Sequence, residues 1–340
     1  MNDLKNKKVL ITPLNWGLGH ATRCIPIINK LLSNNCQVIL ACDGAPLLLL
    51  QKEFPALKSY TLPCYNITYT KNPSLFKLKL FYKGLSLVPI LKKEKKVIKE
   101  IILSEGVEVL ISDNRFGVYS SSIKSIYITH QLNVKAGFYS KIATYLHSKI
   151  YKKYDEVWIP DFNNAELALA GKLSQKDIKN KIYINPISRF KKLNVEEDID
   201  YLFLLSGPEP QRTLLENIFY KEISKEKTKS IVFVRGQLEH NEEVIFDNNV
   251  TIYNFATSSN LENLINRSKV VVCRAGYTTI MDLAYLNKKA FLIPTPGQDE
   301  QEYLATYLCN KSFFPFAKQS NFKWELLKTV DEFKGLNIKD

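Results

Sequence analysis

No apolar run in this chain approaches the roughly 20 residues that a membrane span requires. Its first residues lack the basic start, apolar stretch and small-residue cleavage site of a secretory signal, so a cytoplasmic location is expected. Six cysteines (Cys24, Cys36, Cys42, Cys64, Cys273 and Cys309) form no Cys-x-x-Cys pair, which excludes the usual zinc and dithiol motifs and leaves them as small apolar side chains. Four histidines are scattered along the chain and none sits in a ligand cluster of metal-binding spacing, so no metal and no cofactor is expected. Negative charge is scarce as well. Lysine and arginine number 47 against 34 aspartates and glutamates, a net +13 that favours an anionic partner without choosing between nucleic acid, anionic lipid and a phosphorylated substrate.

What is present is a repeated alternation. The runs "VLITPL", "QVILAC", "VEVLIS", "SIYITH", "DEVWIP" and "KIYI" are separated by helix-length segments, and the pattern restarts with "YLFLLSG", "SIVFVRG", "VTIYNF", "KVVVCRAG" and "AFLIPTP". Strands this rich in Val and Ile are those of a parallel sheet buried on both faces. With 340 residues the chain exceeds a single core, and the charged, Pro186-containing stretch "NPISRFKKLNVEEDID" divides it into domains 1–187 and 188–340. The predicted fold is α/β, two doubly wound domains facing a cleft. The spacing of Trp324, Leu327, Val330 and Phe333 predicts a closing helix with Ser320 or Asn321 as its N-cap. Between Lys71 and Lys99, lysines alternate with Leu and aromatic residues around a Gly84–Pro89 break, a pattern of a solvated surface helix or of a helix lying on anionic lipid.

Ligands of doubly wound sheets bind beyond the carboxyl ends of the strands, so the loops after strands carry the candidates. "NWGLGHATR" follows the first strand. Gly17 and Gly19 fit a dinucleotide loop, but Thr22 stands in place of the third glycine and His20 intrudes where a phosphate would lie. Further candidates are Asp113, Asn114 and Arg115, then His130, Gln131 and Asn133. In the second half, Ala275 and Gly276 open a helix whose backbone N–H groups suit a diphosphate, and Asp282, about one and a half turns further on, suits a ribose diol. Asp299, Gln301 and Glu302 open the next helix as acceptors for sugar hydroxyls, although ordinary capping also accounts for such residues.

These stretches resemble the MurG-type GT-B glycosyltransferases of family 28. "GLGH", "HQLNVKAG", "INPISR", "CRAGYTTIMD" and "DEQEYLA" carry the resemblance over most of the chain. It implies an N-terminal Rossmann-like acceptor domain and a C-terminal nucleotide-sugar domain. Asp282 would hold the ribose, Gln301 and Glu302 the sugar, Ser206 and Gly207 the diphosphate, the loop around Phe255 the base, and His20 would lie beside the acceptor. Aspartate stands at 282 and glutamate at 302 where the family has glutamate and glutamine, and Pro208 and Pro210 remove N–H donors from the glycine loop, which Arg212 or Arg274 would offset by direct charge. Arg274 and Thr279 complete the expected donor set.

The expected reaction is an inverting, metal-independent transfer from a nucleotide-sugar, a UDP-sugar on this resemblance, to an acceptor that is lipid-linked in the family, with the protein peripheral at the inner face of the membrane. His20 is the natural base, with His130 and Asp113 as alternatives. His147 and His240 are read as solvent-facing bystanders, and Asp282→Asn is expected to weaken donor binding without changing the melting temperature. A UDP-sugar epimerase of the same architecture, a nicotinamide-dependent oxidoreductase using Gly17, Gly19 and Asp43, and a non-catalytic binder remain alternatives. No nucleic-acid reader motif is present, so nucleic acid is not expected as a partner.

Overall fold

A computed structural model describes residues 2–65, 73–237, 244–247 and 249–336, with backbone alone for 73–86 and 244–247. The chain divides into two compact units, one of Met1–Ile67 with Lys77–Ile187, the other of Ser188–Asp340 with Thr68–Phe76.

The first unit is built from β1 (Lys8–Pro13), α1 (Gly19–Ser33), β2 (Gln37–Cys42), α2 (Gly44–Glu53), β3 (Ser59–Thr61), α3 (Pro73–Glu105), β4 (Val109–Asp113), β5 (Lys124–Ile128), α4 (Ser140–Tyr151), β6 (Glu156–Ile159) and β7 (Lys181–Tyr183). Its seven strands are all parallel, in the order β3-β2-β1-β4-β5-β6-β7. Val9, Leu10, Ile11, Leu110 and Ile111 are buried on both faces, which is why these strands read as unbroken apolar runs. Strand order reverses between β1 and β4. The loops after those two strands therefore border the crevice in which such sheets bind ligands.

α3 runs unbroken through Gly84 and Pro89, where a break was expected. Pro89 lies on the exposed side, so the hydrogen bond it cannot make is lost on a turn that water can reach. The helix packs Ile98, Ile101 and Ile102 against Leu10, Ile39 and Leu110, while Lys92, Lys93, Lys95 and Lys96 remain exposed.

The second unit contains β8 (Ile199–Leu204), α5 (Gln211–Ile223), β9 (Ile231–Val234), β10 (Val244–Asp247), β11 (Val250–Tyr253), α6 (Ser258–Asn266), β12 (Ser268–Cys273), α7 (Tyr277–Leu286), β13 (Lys289–Leu292) and α8 (Asp299–Asn310). The sheet order is β10-β11-β9-β8-β12-β13, parallel except for the edge strand β10, so the expected all-parallel sheet carries one antiparallel edge. Here the order reverses between β8 and β12. Beyond α8 the expected closing α-helix is a 3-10 helix, Trp324–Glu332, and Ser320 and Asn321 belong to a separate 3-10 turn. The apolar spacing explains the difference: Trp324, Leu327 and Val330 recur every three residues, the 3-10 period, and this edge packs with Phe322 on Phe203 and Phe219.

Among the described residues, no helix is long and apolar enough to cross a membrane.

Candidate active site

In the first unit the loop after β1 turns through Gly17, whose φ of +82° is costly for any residue with a Cβ, and delivers His20 to the first turn of α1. Asp113 ends the neighbouring strand β4 and is fully buried. Its Oδ1 lies 2.8 Å from His20 Nδ1, and its Oδ2 accepts from Arg23 Nε at 2.8 Å. Arg23 Nη2 also donates to Asp113 Oδ1. Burial opposes ionisation of Asp113, but Arg23 and His20 outweigh it and hold the carboxyl below the usual carboxylate range. An ionised carboxylate only accepts, so toward Asp113 His20 Nδ1 presents its proton and Nε2 is left as the basic nitrogen; Arg23 Nη2, 3.0 Å from the same Nδ1, directs its hydrogen to Asp113 Oδ1. The His20 side chain is 14% exposed. Arg23 Nη1 donates to His130 Nδ1 at 3.0 Å, so the same guanidinium joins Asp113, His20 and buried His130.

Several expected acceptor contacts prove to be structural. Asp113 is a positioning residue for His20, because both its oxygens are engaged inside the protein. Arg115 is 1% exposed, donates to Asp43 at 2.6 Å, to Glu94 and to the Pro63 carbonyl at 2.7 Å, and lies over the Tyr65 ring. This buried network anchors α3 to the sheet. Asp43 also accepts from Asn15 at 2.8 Å, so the carboxylate that a nicotinamide enzyme would need is committed elsewhere. Asn133 turns its amide onto the Lys172 and Gln175 carbonyls. Asn114, at φ +59°, accepts from Tyr127 at 2.9 Å, and Gln131 lies half-buried beside Thr129. His147 is not solvent-facing. It is buried against Tyr127, and burial lowers its pKa to about 4, so it is neutral. His240 lies outside the described residues.

In the second unit the loops after β8, β12 and β13 converge. Gly207 adopts φ +111°, and a Cβ there would lie 3.8 Å from Arg274 Nε and 3.9 Å from Thr295 Oγ1. Both atoms are buried and have no hydrogen-bond partner among the described residues. Arg274 is fixed by donating to the carbonyls of Gln211 at 2.8 Å and of Ile293 and Pro294 at 3.3 Å, and burial lowers its pKa to about 9. A cation held by carbonyls, with an N–H and a hydroxyl left over beside a glycine backbone, has the chemistry to receive an anion. Gly276 caps α7, with Thr279 Oγ1 3.9 Å from where its Cβ would be, and buried Ala275 lets the chain turn between strand and helix.

Asp282, in the second turn of α7, accepts from Ser188 Oγ at 2.6 Å, and burial raises its pKa from 3.8 to about 6. That burial overturns the expectation that its replacement leaves stability untouched. Arg212 does not stand free to offset the prolines: it pairs with Glu209 at 2.5 Å and Glu216 at 2.6 Å. Ser206 and Phe255 are half-buried at the ends of β8 and β11. Gln301 Oε1 accepts from Thr295 N at 2.9 Å and Glu302 Oε1 from Gly297 N at 3.2 Å, so these two side chains, with Asp299 at the start of α8, close the loop after β13.

Sequence reasoning passed over Arg23 and Thr295. Arg23 was legible as the residue three positions after His20 on the same helix face. Thr295 had no such signal, because its role depends on which loop faces Gly207.

Two Rossmann-like units, each with its polar constellation at the switch point of its sheet, are the architecture of the GT-B fold. Known proteins share this fold and, in part, its sequence. Residues 202–333 match the glycosyltransferase family 28 C-terminal domain. The chain is 25% identical over 300 residues to the UDP-N-acetylglucosamine--N-acetylmuramyl-(pentapeptide) pyrophosphoryl-undecaprenol N-acetylglucosamine transferase of Clostridium tetani, covering 85% of this chain and 78% of that one. The same transferase from Haemophilus ducreyi is 26% identical over 211 residues, 60% of this chain but only 56% of the relative's length. Among solved structures, the spinosyn rhamnosyltransferase SpnG superposes with a TM-score of 0.64 at 13% identity over 95% of this chain and 91% of SpnG. MurG of Acinetobacter baumannii gives 0.57 at 13% identity over 95% and 89%. Residues 202–333 thus carry the likeness to family 28, and the GT-B fold extends over the chain.

Proposed function

We propose that the protein transfers a sugar from a nucleoside diphosphate sugar, a UDP-sugar, to an acceptor hydroxyl with inversion and without a metal ion. The observation that carries this reading is the pair of partnerless donors, Arg274 Nε and Thr295 Oγ1, beside Gly207. They suit the charge that develops on a departing diphosphate. The acceptor hydroxyl gives its proton to His20 Nε2 as its oxygen bonds to the anomeric carbon, and the bond from that carbon to the diphosphate oxygen breaks. Asp113 keeps the imidazole in the required tautomer and stabilises the imidazolium. Asp282 holds the ribose diol, the loop around Phe255 the base, and the opening turn of α8 the sugar.

The relatives named above act on an undecaprenol-linked substrate, which supports a lipid-linked acceptor here. The exposed Lys92, Lys93, Lys95 and Lys96 of α3 would draw the first unit to the anionic membrane in which such an acceptor resides. Calorimetry with UDP tests the donor half of the reading. Arg274→Gln should lower UDP affinity by about tenfold to a hundredfold, the worth of a charge-assisted hydrogen bond. Equal affinity in the two proteins would remove the diphosphate from this site.

A further inference from the structure

Asp113 and Arg23 hold the His20 imidazole, but the loop that delivers it has little of its own to fix it. α1 has Leu18 at its N-cap and no side-chain cap, and Gly17 and Gly19 on either side of that residue are exposed. A base carried on such a turn needs an anchor from outside the loop if its basic nitrogen is to meet an acceptor in one geometry.

Asn15 supplies one. Its Nδ2 donates to Asp43 Oδ2 at 2.8 Å, and Asp43, 3% exposed directly after β2, gives its other oxygen to Arg115 Nη1 at 2.6 Å. The same Nη1 lies 3.4 Å from the carbonyl of Pro13, the last residue of β1. Arg115 donates in turn to fully buried Glu94 of α3, which accepts from Tyr65 at 2.6 Å. The loops after β1, β2 and β4 are thereby joined by one chain of side chains whose far end is fixed in the core. Gly44 gives an independent sign. It adopts φ +60°, and a Cβ there would lie 2.5 Å from Asn15 Nδ2. Any side chain at 44 would push the amide off the carboxylate, so the residue that suits this backbone also leaves the contact its room.

We infer that Asn15 and Asp43 are positioning residues for the transfer: they tether the turn of residues 15–19 so that His20 Nε2 is held in one place for the acceptor hydroxyl. Neither touches the reacting atoms. The inference rests on the reading of His20 as the base and extends it to the loop that carries it, with Arg115 serving as the link from that loop to α3.

Asn15 is the residue to change, because it is neutral and half-buried, whereas removing Asp43 would strand the buried Arg115 guanidinium. With UDP-N-acetylglucosamine and the undecaprenol-linked substrate of the relatives named above, Asn15→Ala should lower kcat about tenfold, the cost of a small misplacement of the base. UDP affinity by calorimetry should stay within about twofold and the melting temperature should not change. In a His20→Ala background the same change should alter kcat by less than about twofold, because a residue that acts through His20 then has nothing left to position. Hydrogen exchange reads the tether without any substrate: the backbone amides of residues 14–22 should exchange about tenfold faster in Asn15→Ala, with those of α3 unchanged. Equal exchange in the two proteins overturns the tether, whatever the turnover. A tenfold loss that persists without His20 marks a structural role and overturns the positioning inference. If His20→Ala lowers turnover and Asn15→Ala does not, the inference fails while His20 stands as the base; if His20→Ala leaves turnover intact, the base reading fails and the inference with it.

Discussion

Replacing Asp282 by asparagine should make the protein more stable and a worse binder of its donor. Asp282 is 7% exposed and its carboxyl is raised from 3.8 to about 6, chiefly by burial and in spite of Ser188 and Arg189. The folded protein therefore binds this proton more tightly than the unfolded chain does. The favourable contribution is complete below pH 3.8 and is lost as pH rises through about 6. Above that range the fold carries the cost of a buried charge, about 3 kcal/mol for this displacement. Asparagine keeps an acceptor for Ser188 and never ionises, but its amide N–H₂ replaces an acceptor oxygen at a cost of about 1 kcal/mol. The net gain at pH 7.5 is then about 2 kcal/mol, or about 4–8 °C in the melting of a unit of this size. By pH 5 the charge cost is about half as large and the gain nearly vanishes. Scanning calorimetry at the two pH values measures this, and titration with UDP on the same samples should show about tenfold weaker binding. A variant that melts at or below wild type at pH 7.5, or by the same margin at both pH values, refutes the electrostatic reasoning; unchanged UDP affinity refutes the ribose contact.

His20→Ala should lower turnover by about a hundredfold or more with donor affinity nearly constant, as steady-state kinetics on an accepted lipid-linked substrate and calorimetry with UDP will show. Turnover within about threefold of wild type would oblige the base to be another group. Asp113→Asn should reduce turnover comparably and, by stranding the Arg23 guanidinium, destabilise the first unit by about 3–5 kcal/mol at neutral pH. Because the folded carboxyl is held below its ordinary value, the stability it contributes is present above about pH 4 and lost as pH falls further. The gap in denaturant midpoint between wild type and this variant should therefore narrow on acidification, and a constant gap would contradict the assignment.

The alternation of Val- and Ile-rich runs with helix-length segments determined the fold class from the sequence alone, because strands buried on both faces must be apolar throughout. Local chemistry was legible too: "GLGH" read as a turn that carries a histidine into a helix, and "CRAG" as a turn after a strand. What could not be read was whether a polar residue faces a ligand or the interior. Asp113, Arg115 and Asn133 sit in the right loops, yet tertiary packing spends them on Arg23, Glu94 and a neighbouring backbone. The same packing leaves Arg274 without a carboxylate while Arg212, equally basic in sequence, finds two. Lysine-rich α3 stands out by composition, whereas exposed Ile142, Tyr145 and Leu146 lie on α4, whose sequence hides which of its faces the core takes. Hydrophobic period specifies that a face is buried; which one, and which charges are neutralised beside it, depends on contacts between residues about a hundred positions apart, such as Arg23 with His130 and Lys288 with Glu197.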